Sequence, residues 1–140
     1  MMIECDVIIA HFKKQDWLKP IADRIFSEIK SKRIQVEVST EVFHEVFYVL
    51  SEFTSISKIL SNFAYLLGLE NIKFLSPTPE VYVTALHLMQ QYNIKSIFDA
   101  IYAAQALLQS KDKIIISTEN IYDRIPGIKR IDPRDFITMI

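Results

Sequence analysis

Five acidic side chains of this sequence lie at predicted strand ends or on predicted helices, where they could act together in catalysis or metal binding. Glu4 and Asp6 follow the first predicted strand two residues apart, so in an extended segment both point the same way. Glu45 lies at the edge of the apolar face of a helix, Asp99 opens an alanine-rich helix, and Glu119 follows an apolar strand. Clustered carboxylates are ligands for a hard cation such as Mg²⁺ or Mn²⁺. The set therefore indicates a metal site that could act on a phosphodiester.

Each of these acidic residues also has a purely structural explanation. Asp6 and Asp99 could cap the helices that they precede, where exposed N–H groups favour a negative charge. Glu45 by itself is most often a surface glutamate, and Glu119 is an ordinary first-turn acid if a hydroxyl residue before it forms the cap. No segment is specific alone, but together they place carboxylates after three strands and at a helix start.

Composition excludes several other classes of site. Cys5 is the only cysteine, so neither an intramolecular disulfide nor a cysteine-based zinc site is expected. The only glycines are Gly68 and Gly127, so the sequence has no glycine-rich phosphate loop. The net charge of −1 provides no basic surplus for strong nonspecific DNA binding, although a nuclease needs only a local basic rim. Without a basic leader or an apolar run of roughly 18 residues, we expect a cytoplasmic protein that does not enter a membrane.

The elements that must position the acidic residues alternate between short β-type runs and longer amphipathic segments. Strands are predicted at 2–5, 35–39, 71–75, 113–116 and 128–131. Helices are predicted at 7–14, 18–32, 39 or 40 to 52, 55–67, 77–92 and 98–109, with one helical turn at 120–123. This alternation predicts one α/β domain over residues 1–140 with a parallel sheet between helices. In such sheets the functional residues gather at the carboxyl ends of the strands.

Taken in order, the acidic segments resemble the motifs of the PIN-domain family, particularly the VapC-type ribonuclease toxins of prokaryotes. The family opens with a strand ending in Asp-x-Asn or Asp-x-Asp before aliphatic residues, which corresponds to residues 4–10 here. Its serine followed six residues later by glutamate corresponds to Ser39 and Glu45. Its Asp-Ala at the start of an alanine-rich helix corresponds to Asp99 and Ala100.

The fourth family motif is Ser/Thr-x-Asp followed by an aromatic residue and an aspartate, and it corresponds to residues 117–123. The resemblance covers essentially the whole chain. Two positions depart from it, because Glu4 and Glu119 stand where the family has aspartate. A glutamate keeps the charge but moves the carboxylate oxygens about one bond further from the backbone.

The resemblance implies a PIN-like three-layer α/β/α sandwich with a central, mostly parallel sheet. It also implies an endoribonuclease that uses Mg²⁺ or Mn²⁺, a VapB-like antitoxin as partner, and a homodimer. The residues that it assigns to the site are the metal ligands Asp6, Glu45 and Asp99, the supporting Glu4 and Glu119, and Ser117 beside the scissile phosphate.

The other polar and aromatic residues are less specific. The histidines His11, His44 and His87 have no ligand spacing and are expected to be solvated or partly packed. A solvated charged face is expected for Lys13, Lys14, Lys19, Lys30, Lys32 and Arg33, with a rim for the RNA backbone as the alternative. A core position, or a groove that receives a partner, is expected for Phe43, Phe47, Tyr48, Phe53, Phe63 and Tyr65.

Three functions remain open from the sequence. The first is a toxin-like endoribonuclease restrained by a small antitoxin. The second is a non-catalytic PIN domain that serves as a binding module, which the two aspartate-to-glutamate departures favour. The third is a housekeeping nuclease that processes RNA or DNA without an antitoxin.

Overall fold

Five short strands form one central sheet: β1 (Met2–Ile3), β2 (Val36–Ser39), β3 (Ile72–Leu75), β4 (Ile114–Ile116) and β5 (Lys129–Ile131). In this computed structural model, which describes residues 1–140, their order is β3-β2-β1-β4-β5 and every neighbouring pair is parallel. The predicted α/β/α sandwich is confirmed, and its sheet is parallel throughout. Because the two strands that precede the acidic residues, β1 and β4, are neighbours, their carboxyl ends meet at one edge of the sheet.

Seven α-helices connect and flank these strands: α1 (Cys5–Phe12), α2 (Lys19–Lys30), α3 (Val42–Leu50), α4 (Ile56–Leu67), α5 (Pro79–Tyr92), α6 (Ile97–Leu108) and α7 (Pro133–Met139). A 3₁₀ turn at Asn120–Arg124 lies between β4 and β5. Helix α1 packs against α2 and α3, α5 packs against α6, and α7 packs against α2. None of the helices is long and apolar enough to span a membrane.

Several boundaries differ from those predicted because short-range contacts fix them. Helix α1 begins at Cys5 rather than at residue 7, since the Glu4 side chain accepts a hydrogen bond from the Cys5 N–H and caps the helix. Helix α5 begins at Pro79 rather than at Pro77, because Thr78 is its N-cap. Helix α3 begins at Val42 rather than at residue 39 or 40, and it follows Glu41 without a side-chain cap.

Two parts of the structure did not follow from the sequence pattern. Helix α7 was not predicted, because seven residues are too few to display a helical period. It is capped by the Asp132 side chain and buries Phe136. Of the aromatic residues for which a core position or a partner groove is expected, Phe47, Tyr48 and Phe53 are exposed, so they are not core residues.

Strand β2 contains a buried acid whose partners lie within the chain. Glu37 is buried within β2, and its carboxylate accepts hydrogen bonds from the Met1 ammonium at 3.1 Å and the Ser110 hydroxyl at 2.7 Å. These partners, together with the Lys111 N–H, hold the pKa of Glu37 below its usual range despite the opposing effect of burial. The partners of Glu37 precede β1 and β4, so its carboxylate lies near the amino ends of these strands, away from the carboxyl ends that carry the acidic set. Glu37 is therefore a structural residue.

Candidate active site

Glu4 and Ser117 meet at the carboxyl ends of β1 and β4. The parallel pairing of Ile3 with Ile116 brings the next residue of each strand side by side, and the Glu4 N–H donates to the Ile116 carbonyl at 3.0 Å. The Ser117 hydroxyl then donates to Glu4 Oε2 at 2.9 Å and accepts from the Glu119 N–H at 2.9 Å. Ser117 is therefore fully buried and ties the first acidic segment to the fourth.

Both carboxylate oxygens of Glu4 are used within the chain. Oε1 accepts from the Cys5 N–H at 2.9 Å, and Oε2 accepts from Ser117. Burial raises the pKa of Glu4 well above its usual value, and the nearby charges of Asp6, Asp99 and Glu45 raise it further against the opposing hydrogen bond from Ser117. Glu4 is therefore a buried carboxyl that caps α1.

Asp6 lies in the first turn of α1 but does not cap that helix. Its Oδ2 accepts from both the N–H and the hydroxyl of Thr118, at 2.8 and 2.6 Å, while Oδ1 accepts from the Val7 N–H at 2.8 Å. The capping explanation for Asp6 is therefore wrong, because Glu4 occupies the N-cap position. Thr118 orients the Asp6 side chain from the neighbouring strand end.

Glu45 is half-buried on α3 and is held by a buried tyrosine of α6. The Tyr102 hydroxyl donates to Glu45 Oε1 at 2.8 Å, and Tyr102 is 1% exposed. Burial raises the pKa of Glu45; hydrogen bonds from Tyr102 and Cys5 oppose the rise, and the charges of Asp6 and Glu119 add to it. The surface explanation for Glu45 is therefore wrong.

Asp99 lies in the first turn of α6, and the N-cap of that helix is Ser96, whose hydroxyl accepts from the Asp99 N–H at 3.3 Å. Asp99 is thus not a cap. Burial raises the pKa of Asp99 to about 7, and the negative charges of Glu45, Glu119 and Asp6 contribute to the rise. At neutral pH its carboxyl is divided between the protonated and ionised forms.

The four acidic segments are joined by hydrogen bonds, because Ser117 and Thr118 hold Glu4 and Asp6, and Tyr102, on the same helix as Asp99, holds Glu45. We call the site that these segments form the acidic pocket. Glu119 is exposed at its rim, whereas Glu4 is at its buried end. As the side chains lie, no group of three or more acidic, histidine or cysteine side chains is arranged to hold a metal ion. The set consists of oxygen donors whose mutual repulsion a divalent cation would relieve, which fits Mg²⁺ or Mn²⁺.

Several residues of this pocket were not identified as site residues from the sequence. Thr118 had been considered only as a cap, and Tyr102 had no signal beyond its place three residues after Asp99 on the same helix face. Tyr122 is fully buried beside the acidic set, whose charges raise its pKa together with burial, and its hydroxyl has no hydrogen-bond partner in the chain. These contacts join residues far apart in sequence, so only the fold reveals them.

Arg130 of β5 fixes the strand end that carries Ser117. Its guanidinium donates to the Ser117 carbonyl at 3.0 Å and forms a two-pronged contact with the Asp123 carboxylate, with both N···O distances 3.0 Å. Asp123 corresponds to the last aspartate of the fourth motif, after the aromatic residue. It acts as a brace for the loop and not as a member of the acidic pocket.

The histidines lie outside the pocket, as the sequence predicts. His44 and His87 are exposed. His11 is partly packed, with its ring stacked on Phe26 at 4.1 Å between centroids and bonded to Asp23 at 2.6 Å. Burial lowers the pKa of His11 against the opposing effect of Asp23.

Comparisons with known proteins agree with this geometry. A family model described as PIN domain matches residues 1–128. No protein of curated function matches the chain at a significant level. Among solved structures, Mycobacterium tuberculosis VapC20, described as a sarcin-ricin loop cleaving toxin, is similar with a TM-score of 0.74 and 15% identity over 91% of this chain and 96% of that chain. Rickettsia felis VapBC2, bound to a DNA fragment from their promoter, is similar with a TM-score of 0.69 and 14% identity over 94% of this chain and 96% of that chain. At these identities the two structures show a shared fold.

Proposed function

This chain belongs to the PIN-domain family, and on that premise we propose that it is a metal-dependent endoribonuclease that hydrolyses RNA phosphodiester bonds in the cytoplasm. The observation that carries the proposal is the convergence of acidic residues from four segments of the chain, which Ser117, Thr118 and Tyr102 join by hydrogen bonds. Burial, together with the charges of three other carboxylates, raises the pKa of Asp99, so the folded chain keeps a buried acid among like charges at a cost in stability. A functional requirement for a cation accounts for that cost. The similarity in fold to VapC20, described as a sarcin-ricin loop cleaving toxin, supports the proposal.

The residues proposed to hold Mg²⁺ or Mn²⁺ are Asp6, Glu45 and Asp99, with Glu4 in support. The cation would polarise the phosphodiester and lower the pKa of water. Glu4 uses its two oxygens on Cys5 and Ser117, so its longer side chain serves mainly to close the buried end of the pocket.

Glu119 and Ser117 complete the proposed site. Glu119 is exposed at the rim, where its longer side chain can reach inward without disturbing β4. Ser117 orients the Glu4 carboxylate and the Glu119 backbone through one hydroxyl, and so positions the loop against which the scissile phosphate would lie.

RNA cleavage with matched variants tests the proposal. The wild-type protein should cleave single-stranded or structured RNA in Mn²⁺ or Mg²⁺ and should lose that activity in EDTA. Asp99→Asn should reduce cleavage at least about 100-fold, because it removes an electrostatic contact of the reacting centre. Asp135→Asn makes the same change at an exposed position outside the pocket and should leave cleavage unchanged. Activity that persists in EDTA or in Asp99→Asn would contradict the proposal.

We also propose that the protein is the toxin of a toxin–antitoxin pair, with a VapB-like partner and a homodimeric state. Large apolar side chains on α3 and α4 support this, since Phe47, Tyr48, Ile56 and Leu60 are 40%, 65%, 72% and 67% exposed. Co-expression with the product of an adjacent short reading frame should yield a complex, and light scattering should give the mass of a dimer for the chain alone. A monomer that no adjacent gene product binds would contradict this part of the proposal.

A non-catalytic binding module is the second candidate. The observation that favours it is that both oxygens of Glu4 and both oxygens of Asp6 already accept hydrogen bonds within the chain. Calorimetry with Mn²⁺ separates the two candidates. Binding heats that vanish in Asp99→Asn support the nuclease, and a folded protein with no binding heat supports the module.

A further inference from the structure

A basic groove lies outside the acidic pocket, between the end of α1 and helix α4. It is a cavity of about 780 Å³ whose lining includes Phe12, Lys13, Lys14, Phe53, Lys58 and Asn62. A second cavity of about 390 Å³ adjoins it, because Phe12, Lys58 and Asn62 line both. We call the two cavities together the basic groove.

The charge of the basic groove has one sign. Lys13, Lys14 and Lys58 line the first cavity and take part in no salt bridge of the chain, and Lys19 lines the second. No aspartate or glutamate lines either cavity. Asp23 contacts His11 and Lys19 from outside, at 2.6 and 3.5 Å. In a chain of net charge −1, this concentration of unpaired lysines provides a local positive potential.

The basic groove also presents an aromatic surface. Phe53 is 65% exposed, and the Lys13 ammonium lies 4.7 Å from the centroid of its ring. Proteins bind single-stranded nucleic acid with positive grooves that carry aromatic side chains, since lysines contact phosphates and aromatic rings stack on bases. In the basic groove Phe53 is the exposed ring that could serve this purpose.

The basic groove is connected to the acidic pocket by two helices. Helix α1 starts between Glu4 and Asp6 and ends at Phe12 in the groove, a length of about 12 Å for eight residues. Helix α3 carries Glu45 near its start and ends at Leu50, which also lines the groove. The acidic pocket and the basic groove therefore lie at opposite ends of α1, about 12 Å apart along that helix.

We propose that the basic groove binds the sugar-phosphate backbone of single-stranded RNA on one side of the cleavage site. The inference rests on the proposed ribonuclease function and adds the place where the substrate is held. An acidic helical peptide is the competing occupant. RNA is favoured because the larger cavity combines three lysines that form no salt bridge, Lys13, Lys14 and Lys58, with the exposed ring of Phe53. This combination suits phosphates and bases together, whereas an acidic peptide would use the lysines alone.

Fluorescence anisotropy with a labelled single-stranded RNA of about 12 nucleotides, within the site size of single-strand binders, tests the proposal. EDTA in the buffer prevents cleavage and leaves the acidic pocket repulsive to phosphate, so that binding reports on the groove. The double variant Lys14→Gln/Lys58→Gln should weaken RNA binding at least about tenfold at low salt. The slope of log K against log salt should become shallower by about 1.4, as expected for two lost phosphate contacts on a single strand.

Lys30→Gln/Lys73→Gln is the matched control, because it removes the same charge from exposed positions that do not line the groove. Its RNA affinity should equal that of the wild type. Equal losses in the two double variants, or no RNA binding by the wild-type protein, would overturn the proposal. Poly-glutamate that displaces RNA at equal charge concentration would also overturn it, because it would identify the groove as a seat for an acidic polypeptide.

The two proposals fail in distinguishable ways. If RNA binds through Lys14 and Lys58 but is never cleaved in Mn²⁺, the groove proposal is retained and the nuclease proposal is rejected. If RNA is cleaved normally and its affinity does not change in Lys14→Gln/Lys58→Gln, the nuclease proposal is retained and the groove proposal is rejected.

Discussion

At the scale of single residues, the acidic pocket depends on neighbours that carry no charge. Ser117 and Thr118 hold Glu4 and Asp6, and Tyr102 holds Glu45. Each of these donors keeps a carboxylate oriented although repulsion would drive it toward solvent. Hydrogen-bonding partners of metal ligands affect affinity through this orientation.

Replacing Tyr102 by phenylalanine tests this role. The change removes the 2.8 Å hydrogen bond to Glu45 and keeps the buried ring, so Mn²⁺ affinity should fall about 10–100-fold while the fold is retained. Calorimetry measures the affinity, and circular dichroism checks the fold. Tyr82→Phe is the control, since its hydroxyl donates to Glu41 at 2.7 Å outside the pocket. An equal affinity of Tyr102→Phe and wild-type protein would show that Glu45 needs no such partner.

At the scale of elements, the last helix is the part whose contribution was least expected. Helix α7 lies beyond residue 128, where the match to the family model ends, yet it packs against α2. Phe136 is 3% exposed and Pro133 is buried, so α7 belongs to the core. Its length of seven residues makes it dependent on this packing, because so short a helix is not stable alone.

Phe136→Ala should therefore lower the free energy of unfolding by about 3–5 kcal/mol, the usual cost of removing a buried aromatic ring. Urea denaturation followed by circular dichroism measures the change. Met139→Ala alters the same helix at a position that is 64% exposed and should have little effect. Similar stabilities for the two variants would indicate that α7 does not contribute to the core.

At the scale of the whole molecule, the acidic pocket makes the stability of the chain depend on pH and on cations. Asp99 has a folded pKa of about 7, above its value in an unfolded chain, so the folded state holds its proton more tightly. Its contribution is therefore present at low pH and is lost as the pH rises through about 7. Glu4 and Glu45 have pKa values shifted in the same direction. The pKa of His11 is lowered, so its contribution has the opposite sign and increases as the pH rises.

Comparing Asp99→Asn with the wild-type protein isolates the effect of Asp99, because the contribution of His11 cancels. In EDTA the variant should gain stability relative to wild type as the pH rises from 5 to 8, by on the order of 1–2 kcal/mol since solvent screens the partly exposed carboxyl. Melting temperatures across that range measure the difference. A difference that stays constant with pH would mean that Asp99 is ionised throughout.

Charge repulsion in the pocket thus opposes folding, while 34 buried hydrophobic residues favour it. The core can sustain this cost because apolar burial scales with area and the pocket is confined to one edge of the sheet. The same edge faces the helices that lead to the basic groove, so opposite charges lie at the two ends of α1.

The sequence by itself determined the succession of the five strands and the first six helices along the chain, the parallel α/β architecture, and the four acidic segments with Asp6, Glu45 and Asp99. These follow from period, caps and composition, which are local and therefore visible in the chain. Only the tertiary structure decided that Glu4 caps α1, that Tyr102 and Thr118 hold the carboxylates, that Arg130 braces Ser117, and that α7 closes the core. These contacts join residues separated by as many as 113 positions, and their partners are fixed by the order of strands in the sheet. No spacing along the chain encodes that order, because it results from how the elements pack together.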